Sequence, residues 1–355
     1  MRQAVIMAGG AGTRLWPLSL TARPKQLMHI VEGKSLLRLS FERLYDWLPA
    51  SQIHVITSAA HLPQVQQELP EMPAANLIGE PCGRDTVNAI GLCAHLLGRS
   101  DPDGTMGIFT ADHIIRPIPT FREAVEKAYE TAEQFPDALV TFGIKPTHPH
   151  TGLGYVQRGK PIGPGVHEVV QFKEKPELAV AERYVASGEY LWNSGMFVWR
   201  SSAFLAELQR HVPDSHEKLG RIAAADGPER QKQLEALFPT LTKISVDFAI
   251  MEKARQVLVV EMPVQWLDVG SWTALTEVLA PDAEGNVRTG GAHRTLDARG
   301  NILVAEGEHL IATIGVSDLV VIAGPTATLV CHKNDVQRIK HLVETLQNEG
   351  LTKYL

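Results

Sequence analysis

Cysteine is scarce in this 355-residue chain: only Cys82, Cys93 and Cys331, with no CxxC pair and no His at metal-site spacing. That excludes a disulfide-stapled scaffold and suits a reducing compartment. Long apolar runs are missing too. None approaches the roughly 20 residues of a spanning helix, and the opening MRQAVIMAGG runs into glycines before any secretory h-region forms. These absences predict a cytoplasmic protein with no membrane partner. Nor is there a basic surplus. Lys+Arg is 34 against Asp+Glu 40, a formal charge of −6, which carries no nucleic-acid footprint but leaves room for a local basic cluster around one small anion. What is present is ordinary globular usage, 44% hydrophobic and 21% charged, excluding disorder and collagen. The length fits one large domain plus a small one, or two domains.

The first two-thirds alternate short apolar runs with helical-period segments. Residues 3–7 read as a buried strand ending in a glycine turn. From Leu37, apolar positions recur at Phe41, Leu44 and Leu48, one helix face. Strands follow at 53–57, 106–109 and 138–142, with helices at 85–97 and around Phe121, Val125, Ala128 and Ala132 between them. Such alternation predicts an α/β fold, a Rossmann-like open, mostly parallel twisted sheet with helices on both faces. Ligands then collect beyond the carboxyl ends of the strands. Between 143 and 200 Pro and Gly become dense, and short strands at 168–172 and 196–199 read as an excursion from the core sheet over a substrate pocket. After about Pro281, short strands at 302–305, 310–314, 319–322 and 328–331 recur every nine residues or so, the spacing of a small all-β unit. A helix with Val336, Ile339, Val343 and Leu346 on one face follows, offering either a homodimer contact or packing against its own catalytic domain. The expected domains are residues 1–282 and 283–355.

The most informative stretch is Met7 to Leu18, MAGGAGTRLWPL. Glycines directly after a strand let successive backbone N–H groups surround an anion. A Walker A loop needs Gly-Lys-Ser/Thr, and here Thr13-Arg14 follows Gly12; a dinucleotide fingerprint needs a small residue where Leu15 stands. Both fail. There remains a glycine loop with Arg14 inside it and Pro24-Lys25-Gln26 eleven residues on, a bidentate cation and a point-charge cation suited to a triphosphate.

The string GGAGTRLWPLS…PKQ resembles the nucleotide signature of the sugar-1-phosphate nucleotidyltransferases, in particular their mannose-1-phosphate guanylyltransferase branch. Further segments fit in the same order. Thr110-Ala111-Asp112-His113 follows a strand, where a carboxylate faces the ligand crevice and Mg²⁺ on a nucleotide is held. Asp268, in WLDVGSW, taken singly reads first as a helix cap; together the two segments resemble the family's metal-binding aspartates, so the resemblance puts Mg²⁺ on Asp112 and Asp268. His113 reads as a partner to a backbone group. Phe172 to Pro176, FKEKP, resembles the segment whose lysine contacts the sugar phosphate, which falls on Lys175; Lys173 receives no role. Gly154, Glu174 and Asn193, in GLGY, FKEKP and WNSGMF, are the implied sugar contacts. Asp247 either positions substrate or caps a helix. In the loop 80–86, Asp85 reads as an N-cap, and the resemblance puts Pro81, Arg84 and Thr86 beside the nucleobase. Ala8, Gly9, Gly10, Gly12 and Thr13 are the nucleotide loop, and Arg14, Lys25 and Lys175 the catalytic cations.

The match runs over about residues 3–275, and the branch also implies the β domain. Two segments depart from the family pattern: Thr147-His148-Pro149-His150 replaces the usual Arg and Glu, and Leu27 stands where Phe is commoner. The implied reaction is GMP transfer from GTP to mannose 1-phosphate, releasing pyrophosphate. Alternatives are a sister transferase for another sugar phosphate (heptose or glucose) or nucleotide, and a catalytically silent regulatory relative. An isomerase domain found in longer bacterial relatives is not expected.

Overall fold

The computed structural model describes residues 1–10, 12–31 and 33–355; Ala11, in the middle of the glycine loop, lies outside the described residues. The chain divides into two compact units. One comprises residues 1–7, 41–110 and 115–265, the other residues 8–40, 111–114 and 266–355. No described helix is long and apolar enough to cross a membrane.

The first unit is built on nine strands: β1 (Arg2–Met7), β2 (Ile53–Ser58), β3 (Leu77–Glu80), β4 (Thr105–Thr110), β5 (Leu139–Ile144), β6 (Tyr155–Gly163), β7 (Val166–Lys173), β8 (Tyr190–Arg200) and β9 (Val257–Glu261). They form one sheet in the order β3-β2-β1-β4-β8-β5-β9-β7-β6. The quartet β3-β2-β1-β4 is parallel, as the alternation with helices predicts, and so is the pair β5–β9. The sheet as a whole is mixed, because β8 runs antiparallel between β4 and β5, and β7 and β6 are antiparallel at the far end. The segment expected to leave the sheet therefore supplies three of its strands. β8 hid in the sequence because Asn193-Ser194-Gly195 interrupts its apolar run. The register shifts there, between Asn193 and Phe197, and Gly195 takes φ 68°, the signature of a bulge that re-aims side chains.

Eight helices accompany these strands in the chain: α1 (Leu36–Tyr45), α2 (Leu62–Glu68), α3 (Asp85–Ser100), α4 (Ile118–Gln134), α5 (Leu178–Ser187), α6 (Ser201–His211), α7 (Pro213–Ala224) and α8 (Gly227–Leu237). They cover both faces of the sheet. Ile108 of β4 packs into the cluster that holds Ile90 and Leu97 of α3. Its neighbour Phe109 meets Phe121 of α4 edge-on, with ring centroids 6.1 Å apart. Successive strand residues point to opposite faces. Trp199, fully buried, stacks between Phe197 and Phe204; each such side chain contributes about 1.5–3 kcal/mol on leaving water.

Strand β10 (Gln265–Asp268) leads the chain into the second unit. There β11 (Val287–Thr289), β13 (Ile302–Ala305) and β15 (Leu319–Ala323) stack in parallel, with β16 (Thr328–His332) closing antiparallel, while β12 (Ala292–Leu296) pairs in parallel with β14 (Leu310–Ile314). This is a coil of parallel strands rather than a hairpin barrel. The sequence shows β13 to β16; β11 is only three residues and β12 is half exposed with His293, Arg294 and Thr295 in it, so neither reads as an apolar run. Inside the coil Asn301 Nδ2 donates to Asn286 Oδ1 at 2.9 Å, and Asn301 Oδ1 accepts from the Leu319 N–H at 2.9 Å. Both amides are buried and bonded, which satisfies the backbone at the corners. The terminal helix α9 (Ile339–Asn348) turns Ile339, Val343 and Leu346 onto the unit's own core with Leu15, Trp16 and Trp272. Its apolar face is thus covered by its own chain.

Candidate active site

The glycine loop belongs to the second unit and is pinned from below. Gly12 sits at φ 58°, and a Cβ there would come within 2.7 Å of Ser19 Oγ and 2.8 Å of Lys25 Cβ. Only glycine allows the loop to lie this close to Lys25. The Gln26 side-chain amide donates to the Gly9 carbonyl. Residues Thr13–Leu15 make one 3-10 turn, after which Trp16 is buried; its indole donates to the Tyr354 carbonyl at 2.7 Å, and its own carbonyl accepts from Trp272 at 3.1 Å. Ala8 is buried, Gly9 and Gly10 are exposed, and Arg14 stands exposed with no hydrogen bond or ion pair among the described residues. Gln26, the last residue of the Pro24-Lys25-Gln26 motif, is 1% exposed and braces the loop, a role that its residue type and spacing do not announce.

Lys25 gathers the acids. Its Nζ lies 2.5 Å from Asp112 Oδ2 and 3.9 Å from Asp268 Oδ1. Burial works against its charge, but the two carboxylates outweigh burial and hold its pKa above the ordinary lysine value. For Asp112 burial pushes the pKa up, and the Lys25 ammonium together with His113 brings it below the usual carboxylate range. Asp268 ends β10 and does not cap the following turn, whose cap position is taken by Ser271. The Val269 N–H reaches the Asp112 carbonyl at 3.3 Å, which sets the two acid-bearing segments side by side. His113 is buried. Its Nδ1 accepts the Trp266 indole N–H at 3.1 Å, so in the neutral ring Nε2 carries the hydrogen, 3.8 Å from Asp112 Oδ1. The Trp266 indole is thus one partner of His113.

Ligand atoms of Asp112, His113 and Asp268 lie within 4.8 Å of one another. Asp268 Oδ1 is buried without a hydrogen-bond partner, an orphan of the kind a cation satisfies. Two carboxylate oxygens are hard donors and fit a hard divalent ion; the His113 nitrogen facing them bears a hydrogen and does not.

In the first unit Gly154, Glu174, Lys175, Asn193 and Asp247 come together. The Asn193 N–H donates to the Gly154 carbonyl at 2.8 Å. A Cβ on Gly154 would collide with Glu174 Oε2. Asn193 Nδ2 donates to Asp247 Oδ1 at 3.0 Å and its Oδ1 accepts from Thr141 Oγ1 at 3.0 Å, so the amide is oriented with one N–H unengaged. Lys175, at φ 47°, donates to Glu174 Oε1 at 2.6 Å. Burial lowers the Lys175 pKa, but Glu174 and Asp247 reverse this and keep it charged. Burial and then Glu174 push Asp247 up to about 7. Asp247 opens a π-helical turn, Asp247–Met251, without capping it; the Phe248 and Ala249 N–H groups turn to the side chain and carbonyl of Ser245. On the neighbouring loop His148 and His150 pack edge-on against Trp192.

The loop 80–86 is also fixed within this unit. Arg84 donates to the Pro239 carbonyl, the Thr86 hydroxyl accepts from the Val246 N–H at 2.8 Å, and Asp85 Oδ1 accepts from the Thr86 N–H at 2.8 Å as α3 begins. Pro81 is half-buried beside them.

Residues 3–285 match the family model for nucleotidyl transferases, and residues 291–346 match the model for a MannoseP isomerase/GMP-like beta-helix domain. The chain is 40% identical to the mannose-1-phosphate guanylyltransferase of Escherichia coli (strain K12), over 98% of this chain and 73% of that protein. It is 39% identical to the mannose-1-phosphate guanylyltransferase of Klebsiella pneumoniae, over 99% and 75% respectively. Among solved structures, mannose-1-phosphate geranyltransferase from Thermus thermophilus is similar with TM-score 0.88 at 34% identity, covering 98% of this chain and 99% of that one. A glycine loop closed on Lys25, two aspartates converging on that lysine, and relatives matched over nearly the whole chain lead to one assignment: the chain belongs to the nucleotidyl transferase family, in its mannose-1-phosphate guanylyltransferase branch.

Proposed function

We propose that the protein transfers GMP from GTP to α-D-mannose 1-phosphate, giving GDP-mannose and pyrophosphate. The observation that carries this reading is the convergence of Lys25 with Asp112 and Asp268 beside the glycine loop. An oxygen of mannose 1-phosphate attacks the α-phosphorus of GTP. The new P–O bond forms as the bond to the β-phosphate breaks, and pyrophosphate leaves with the electron pair. The attacking oxygen is already ionised, so no covalent enzyme intermediate and no general base are needed. Catalysis then consists of bringing two repelling anions together and cancelling charge.

Each group has a task in that scheme. The N–H groups of Ala8, Gly9, Gly10, Gly12 and Thr13 cradle the triphosphate, and Arg14 and Lys25 stabilise the departing pyrophosphate. Lys175 holds the attacking phosphate. Gly154, Glu174 and the free amide hydrogen of Asn193 read the hexose hydroxyls, with Asp247 fixing Asn193. Pro81, Arg84 and Thr86 flank the base; since the Arg84 and Thr86 side chains are engaged by the Pro239 carbonyl and the Val246 N–H, they shape that pocket by holding the loop in place. Asp112 and Asp268 would hold Mg²⁺, which when bound supplies charge neutralisation at the α-phosphate. Residues 1–282 then serve as the catalytic domain and 283–355 as the β domain. Three free thiols suit a cytoplasmic setting.

The test is twofold. Lys25→Ala and Asp112→Ala should each fold normally and lose about 10²-fold or more in turnover; near-normal turnover in either overturns the assignment. Pyrophosphate release measured for a panel of nucleoside triphosphates against mannose, glucose and heptose 1-phosphates should be greatest for GTP with mannose 1-phosphate. Another pair in first place would make the protein a sister transferase. A silent regulatory relative would be expected to lack Arg14, Lys25, Asp112 or Asp268, and all four are present.

A further inference from the structure

Strands β7 and β9 part company before β7 ends. They pair only through Val166–Val260, His167–Val259 and Glu168–Leu258. From Val169 to Lys173 the edge of β7 has no described strand partner on that side. A cavity of about 320 Å³ lies there, lined by residues 169–173 and by the segment from 251 to 257. Its volume is that of a small-metabolite pocket.

Two cations line this cavity, Lys173 and Arg255, and neither side chain has a hydrogen bond or ion pair among the described residues. The one carboxylate in the lining, Glu252, is turned towards the Glu174 N–H at 3.4 Å. Val169, Phe172 and Met251 add apolar wall. An ammonium and a guanidinium without counter-ions, beside a strand edge with free backbone groups, match a phosphate: Arg grips two of its oxygens and Lys adds a mobile point charge. Neither cation has a task in the transfer reaction.

We propose that the cavity between β7 and the segment 251–257 is a second binding site, for a small metabolite bearing a phosphate monoester. Its walls run directly into the sugar side. Lys173 precedes Glu174 and Lys175, and Met251 ends the π-helical turn that Asp247 begins, while Glu252 ties that turn to the Glu174 backbone. A ligand drawing Lys173 and Arg255 together therefore bears on Glu174 and Asp247 at once, which couples the cavity to mannose 1-phosphate affinity. The coupling rests on the proposed function; the binding does not.

The test uses the full chain with its transfer site filled by saturating GDP-mannose, whose own titration is recorded first. Glucose 6-phosphate and AMP are then titrated separately by calorimetry. At least one should bind at a single saturable site, and the double variant Lys173→Gln/Arg255→Gln should bind it about tenfold more weakly or worse. That variant should keep wild-type turnover in the absence of either probe. Binding by glucose 6-phosphate alone points to sugar phosphates, and by AMP alone to nucleotides; either supports the site. No saturable heat for either probe up to about 10 mM, or equal affinity in the double variant, overturns it. Failure of GDP-mannose itself to bind counts against the proposed function and leaves the cavity to be judged by the double variant.

Discussion

A single missing methyl group sets the geometry where Gly154, Glu174 and Asn193 meet. Gly154 gives its carbonyl to the Asn193 N–H while Glu174 Oε2 occupies the space a Cβ would need. Gly154→Ala should therefore displace Glu174 and with it Lys175, which is bonded to Glu174. The expected result is a KM for mannose 1-phosphate raised about tenfold with a smaller change in kcat, since ground-state binding is what moves. An unchanged KM would take Glu174 out of substrate binding. Glu80 offers a different test, one of stability. Burial first, and Asp85 second, raise its pKa to about 7 from an ordinary 4.5. An acid whose folded pKa is raised binds its proton more tightly when folded, so the folded state loses stability as pH climbs from about 4.5 to about 7. Glu80→Gln removes that penalty. It should leave urea stability nearly unchanged at pH 4.5 and raise it above pH 7.5, by at most about 3 kcal/mol. A variant no more stable than wild type at pH 8 would show that Glu80 ionises without cost. Among candidate residues, Lys25 stood out in the sequence as a cation following a glycine loop, and Asp112 as a carboxylate after a strand to which the family resemblance attached a metal role. Gln26 and Thr141 were not: an amide pinning a loop and a hydroxyl orienting an asparagine leave no spacing rule behind.

The helix α9 illustrates what periodicity reveals about an element and what it withholds. Its apolar face, Ile339, Val343 and Leu346, was readable from the three-and-four spacing. What that face covers was not readable, because Leu15 and Trp16 lie more than 300 positions earlier in the chain. The packing explains why Trp16 follows the glycine loop near the N-terminus: the indole is anchored on the Tyr354 carbonyl and its peptide on Trp272. Ile339, with 2% exposure, is the firmest point of contact. Ile339→Ala should cost about 2–4 kcal/mol through lost burial and the cavity left behind, read as a lower urea midpoint at unchanged slope. A midpoint within error of wild type would mean the helix contributes nothing to the unit's core. Strand β8 shows the opposite failure. It runs longer than its apolar stretch because three polar and small residues, Asn193-Ser194-Gly195, form a bulge within it.

For the whole molecule, alternation of strand and helix was enough to predict an α/β sheet covered on both faces, since that pattern follows from burying amphipathic helices on a parallel core. It could not predict that β8 would insert antiparallel between β4 and β5, because pairing partners are chosen by long-range packing and leave no local mark. Net charge was equally blunt: −6 overall, yet Arg14 and Lys25 stand together at the glycine loop, close enough for Arg14 to oppose the charge on Lys25. The largest buried side chains, Trp199 in one unit and Trp272 in the other, lie in hydrophobic clusters that need no ion to form. The acids that would take the metal already share the Lys25 ammonium, 2.5 Å from Asp112 and 3.9 Å from Asp268, so part of their charge is offset without an ion. Two consequences follow for metal removal, and they point in different directions. Chelation with EDTA should abolish turnover, because the α-phosphate loses its charge neutralisation. It should shift the melting temperature by less than about 2 °C, unlike a structural metal site, where ligand charges are satisfied only by the ion and folding depends on it. Calorimetric scans with and without chelator measure this directly. A fall of about 10 °C would show that Lys25 does not hold the acids in the metal-free protein, and the ion would then belong to the fold as much as to the chemistry.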